Sequence, residues 1–101
     1  MTSGDAMLLR SLRALVVRGV KRALELDGHC KSYEGAMEFT VDMPPVYCSD
    51  QRTYYRLTLD CYVLGPSRHY EWGGTDATET LQRAMADVAR WIAELDEEAA
   101  N

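Results

Sequence analysis

The chain has 101 residues, 47% of them hydrophobic and 27% charged, which suits one folded domain over residues 1–101 and is too little for two cores. A formal net charge of -5 works against general binding to a nucleic-acid backbone, where affinity comes from clustered Lys and Arg; a basic partner surface, or none, is easier to accommodate. No run of about eighteen apolar residues is available to span a bilayer, so no membrane role is expected.

Residues 1–4, "MTSG", and 97–101, "EEAAN", are predicted to be loose ends. Asp5 is placed to cap a first helix, in which Leu8, Leu12, Leu15 and Val16 share one side at helical spacing. Arg10, Arg13 and Arg18 take the other side, which reads as a solvated basic face. The segment "MLLRSLRALVV" carries arginines and no small-residue cleavage pattern after it, so it makes a poor signal peptide, and the expected compartment is the cytoplasm.

Residues 19–27 have two readings. Val16, Val17 and Gly19 weaken a continuous helix, so the preferred one is a break at Gly19 and a strand from about Val20 to Asp27. The other is one long helix ending at Asp27-Gly28, with Gly28 as its C-cap.

In "AMEFTVDM", Met37, Phe39, Val41 and Met43 alternate with Glu38, Thr40 and Asp42, the pattern of a half-buried strand stopped by Pro44-Pro45. In "YYRLTLDCYVL" the inward set is Tyr55, Leu57, Leu59, Cys61 and Val63, against Tyr54, Arg56, Thr58, Asp60 and Tyr62 outward. A turn at "GPS" leads into a short strand "RHYEW". The last helix has the strongest pattern, with Leu81, Met85, Val88, Ile92 and Leu95 in one stripe and Trp91 on its flank. Arg83, Asp87, Arg90 and Glu94 lie opposite, at spacings that allow pairing along the helix. The predicted fold class is α+β: an N-terminal helix, an antiparallel sheet of three or four strands, and a C-terminal amphipathic helix packed on the sheet.

Gly73-Gly74 before a helix suggests a phosphate loop, yet the stretch lacks the Lys and Ser/Thr of a P-loop and the third Gly of a dinucleotide fingerprint. Asp76-Ala77-Thr78-Glu79 reads instead as a capping box, with Thr75 as the alternative cap, and a carboxylate there occupies the place of a phosphate. The glycines then serve to turn the corner with positive φ and close packing. His29, Cys30, Cys48, Cys61 and His69 include no local Cys or His pair at zinc-clamp spacing, and an odd count of three cysteines is no disulfide framework. No cofactor and no metal are expected. Glu38, Asp42 and Asp60 fall on a solvated face, unlike the paired environments of acid–base catalysis. Cys30 beside His29 is the one candidate for a reactive thiol.

From about Ala36 to Leu95 the order of strands, Gly turn and helix carries two resemblances. "GTDATETLQRAM", with Gly74, Asp76, Leu81 and Ala84 at the marked positions, resembles the ending of an uncharacterised family of small bacterial α+β domains with a Gly-x-Asp turn and a Leu-rich helix. Gly73, Thr75 and the stretch through Glu79 are similar to the Gly-x-Thr-x-x-Glu-Ala turn of HicB-type antitoxins, which have partial ribonuclease-H-like domains; Thr80 stands where that family has Ala.

The expected function is that of a small acidic, non-enzymatic protein-binding module of the bacterial or phage antitoxin or immunity type, acting on a basic partner surface. Its contact residues are Tyr54, Arg56 and Tyr62, ringed by Glu38, Asp42 and Asp60, because an aromatic and Arg centre with a polar rim has the make-up of an interface. The alternatives are a homodimeric assembly protein and a small thiol-dependent enzyme using Cys30 and His29. A competing arrangement places the N-terminal helix over the outward strand face, which would bury the tyrosines.

Overall fold

The computed structural model describes residues 3–27, 37–42, 55–62 and 68–100. In chain order these are α1 (Ser3–Asp27), β1 (Met37–Asp42), β2 (Tyr55–Cys61), β3 (Arg68–Gly74) and α2 (Ala77–Ala100). The architecture is α+β: the three strands form one antiparallel sheet in the order β1-β2-β3, and α2 packs on it.

The preference for a strand over residues 20–27 is corrected: α1 runs unbroken through Gly19 to Asp27. Val20, Ala23 and Leu24 are buried and extend the stripe begun by Leu12 and Val16. Gly in a helix interior costs about 1 kcal/mol and a valine less, whereas burying a Val or Leu side chain gains about 1.5–3 kcal/mol. Packing therefore outweighs propensity. Gly19 also has a positive role, since a Cβ there would lie 2.6 Å from Cζ3 of Trp91. The glycine lets α1 and α2 approach.

The two helices lie parallel. Asp5 meets Thr78 and Arg22 meets Asp96, contacts separated by 73 and 74 residues respectively, so the register between the helices is constant. Parallel helices bring two positive N-terminal ends together, and the carboxylates of Asp5, Asp76 and Glu79 at that end offset them. Asp5 is not the cap predicted for α1. It lies inside the first turn, is buried, and accepts a hydrogen bond from the Thr78 hydroxyl. The helices also include Ser3–Gly4 and Glu97–Ala100, where the sequence predicts loose ends.

The sheet follows the expected alternation. Leu57, Leu59, Cys61 and Trp72 are buried, with Met37, Phe39, Val41 and Tyr70 packed beside them. From α2 the same core takes Leu81, Ala84, Val88, Trp91, Ile92 and Leu95. The Arg13 guanidinium of α1 lies 5.4 Å from the centroid of the Phe39 ring, on this inward side. Both helices thus cover one face of the sheet. The competing arrangement, with α1 over the outward face, is not the one adopted.

The polar side of α2 departs from expectation. Arg90 and Asp87 pair along the helix, at 3.7 Å, but Asp87 also accepts from the indole Nε1 of buried Trp72 at 2.8 Å. Glu94 reaches Arg68 at 3.1 Å, and Arg83 donates to the Gly73 carbonyl. These side chains tie α2 to β3. Asp76 is the N-cap, accepting from the Glu79 backbone N–H at 3.0 Å. Gly73 and Gly74 belong to β3, and Gly74 does not take the left-handed conformation predicted for it; its role is close packing, for a Cβ there would lie 3.0 Å from the Thr80 hydroxyl.

Candidate partner-binding face

Strand alternation and antiparallel register assemble the outward face from three rows. They are Glu38–Asp60–His69, Thr40–Thr58–Glu71 and Asp42–Arg56–Gly73. Each row takes one residue from each strand, so residues distant in sequence become neighbours. Tyr62, one residue past β2, joins the first row: its hydroxyl donates to Glu38 at 3.4 Å, and the residue is 51% exposed.

Of the residues the sequence singled out, Arg56, Glu38, Asp42, Asp60 and Tyr62 come together on this face. Tyr54 lies outside the described residues, as do His29, Cys30 and Cys48. His69 and Glu71 are members of the face that sequence reasoning missed. The signal was available in "RHYEW", where alternation places both on the side opposite Tyr70 and Trp72.

The charges form a chain. Asp60 holds Nδ1 of His69 at 2.5 Å, Nε2 of the same ring lies 3.7 Å from Glu71, and Glu71 pairs with Arg56 at 2.8 Å. The hydrogen bond to Asp60, with smaller contributions from its charge and from Glu71, raises the His69 pKa above its ordinary 6.5. Partial desolvation, then the charges of Asp60 and Glu38, raise the Tyr62 phenol above 10. Among the described residues, four carboxylates, Glu38, Asp42, Asp60 and Glu71, stand against one guanidinium and one imidazole, so this part of the face is acidic. Arg56 and Glu71 are about half exposed, at 54% and 46% of their side chains. A pair in that setting contributes about 0–1 kcal/mol. These contacts orient the side chains and add little to the stability of the fold.

Elsewhere, a cleft of about 530 Å³ lies along the two helices, lined by Arg18, Lys21, Arg22, Glu25 and Asp96 with Val17 and Ile92. Arg22 is held there by Glu25 at 2.9 Å and by Asp96 at 3.1 Å. The cleft mixes both signs of charge over apolar side chains. Cys61 is buried on the inward side of the sheet, whereas His69 lies on the outward one. Among the described residues, no three His, Cys, Asp or Glu side chains are grouped to hold a metal ion, and no helix is long and apolar enough to cross a membrane.

Comparison with family models, curated proteins and solved structures found no match to this chain.

Proposed function

We propose that the protein is a non-enzymatic binding module of the antitoxin or immunity type, which presents the outward face of its sheet to a basic surface on a protein partner. The observation that carries this reading is the acidic face opposite the helices, with Arg56 and Tyr62 among Glu38, Asp42, Asp60 and Glu71. Carboxylates steer a cationic partner into encounter, and a Tyr and an Arg supply the contact area and hydrogen bonding on which affinity concentrates. A sheet face whose strands are locked from behind by a packed core is also rigid, so little ordering accompanies binding.

The test is a two-hybrid screen with the wild-type chain against a library from its own genome, followed by two variants against each partner found. Glu38→Gln/Asp42→Asn/Glu71→Gln removes three charges from the outward face. Glu79→Gln/Glu97→Gln/Glu98→Gln removes three from exposed positions of α2. The proposal expects the first to lose the interaction and the second to keep it, and it expects a partner that is toxic alone to be relieved by co-expression. Equal effects of the two variants would overturn it.

A further inference from the structure

We propose that β3 is a self-recognition edge, through which two copies of the chain join their sheets by antiparallel pairing centred on Tyr70. This goes beyond the partner reading and rests on a different observation, the order of charges along one strand.

Among the described residues β3 has a single strand neighbour, β2, so alternate backbone N–H and C=O groups of β3 lack a ladder partner on its other side. Arg83 of α2 donates to the Gly73 carbonyl, so the Gly73 end of β3 is already engaged. The stretch from Arg68 to Trp72 is the part of β3 that a second strand would meet.

A two-fold axis perpendicular to a joined sheet keeps both helix layers on one side and sets each outward side chain opposite another outward one. Three such registers keep both outward charges, His69 and Glu71, in the middle of β3. Centred on His69, the imidazole opposes itself; centred on Glu71, two carboxylates collide. Centred on Tyr70, His69 of each copy faces Glu71 of the other, twice. On the inward side Tyr70 then meets its own copy and Arg68 faces Trp72. The other edge, β1, carries Glu38, Thr40 and Asp42 outward and no cation, so no register of β1 on itself gains an attractive pair. Of the two edges, β3 is the one with a self-complementary code. The product is a continuous sheet, β1-β2-β3-β3-β2-β1, with one acidic outward face of doubled area.

Sedimentation equilibrium on the full chain reads the outcome. Wild type is expected to show a reversible monomer–dimer equilibrium below millimolar concentration. Glu71→Lys sets lysine against His69 of the other copy, and His69→Glu sets glutamate against Glu71; each is expected to weaken self-association by about tenfold or more, as like charges across an interface do. Mixed one to one, the two variants set the introduced lysine of one copy opposite the introduced glutamate of the other, and the remaining His69 opposite the remaining Glu71. The mixture is therefore expected to recover the dimer. Circular dichroism checks that each variant is folded. A wild type that stays monomeric at millimolar concentration would overturn the proposal, as would variants that dimerise like wild type or a mixture that fails to recover.

Discussion

Gly19 of α1 and the indole of Trp91 in α2 are in such close approach that a Cβ at Gly19 would stand 2.6 Å from the ring and 3.2 Å from Cγ1 of Ile92. The absence of a side chain there sets the distance between two parallel helices. An alanine at this position gains about 1 kcal/mol of helix propensity, but overpacking a tight core costs about 1–3 kcal/mol. Gly19→Val adds more volume and forgoes most of the propensity gain. It is expected to lower stability by about 2 kcal/mol or more, measured as a fall in the urea midpoint with unchanged slope; a midpoint equal to wild type would contradict the packing described.

Asp87 accepts the indole N–H of a Trp72 that is only 4% exposed. Asp87→Ala leaves that donor without its acceptor in the core, at a cost of about 1–3 kcal/mol. Asp87→Asn keeps an acceptor and is expected to lose well under half as much. The comparison by chemical denaturation separates loss of the hydrogen bond from loss of the charge.

His69 titrates in contact with Asp60 and Glu71, and its folded-state pKa lies above the unfolded 6.5. The protonated ring is the form these carboxylates favour, so the stabilisation is fully present below the unfolded pKa and is lost as pH rises through the folded one. An NMR titration of the His69 ring should give a midpoint above 6.5, and Asp60→Asn should lower it toward that value, since Asp60 is the principal cause. A midpoint unmoved by Asp60→Asn would remove the contact from the account.

Much of this was legible in the sequence where one period dominated. Residues 37–42 and 55–61 alternate as half-buried strands do, and the stripe from Leu81 to Leu95 could only be a helix packed on one side. The outward residues Arg56, Asp60, Glu38 and Asp42 followed from that alternation alone. Residues 19–27 were not legible, because a glycine that admits a tryptophan from another element looks, in one dimension, like a glycine that breaks a helix. The parts played by His69 and Glu71 depend on strand register, which no single strand encodes. Spacing along α2 suggests neighbours on the same helix, which holds for Asp87 with Arg90, but β3 runs close enough to take Arg83 and Glu94 and to give Asp87 a second partner in Trp72.

Tyr62 distinguishes an exposed contact side chain from a core one. Tyr62→Ser is expected to change stability by under about 0.5 kcal/mol, as surface substitutions do. Loss of a buried aromatic would cost about 3–5 kcal/mol. Thermal unfolding of the single variant decides between them.

The central claim, that the outward face of the sheet is where a basic surface docks, is tested most directly by titrating the isotope-labelled protein with a short oligolysine peptide and following backbone amide shifts. The account predicts that the largest shifts fall at Glu38, Asp42, Arg56, Asp60, Glu71 and Tyr62, and that they diminish as salt shortens the screening length from about 10 Å at 0.1 M. Shifts concentrated instead on Glu94, Asp96, Glu97 and Glu98 of α2, which are equally acidic and also exposed, would contradict it.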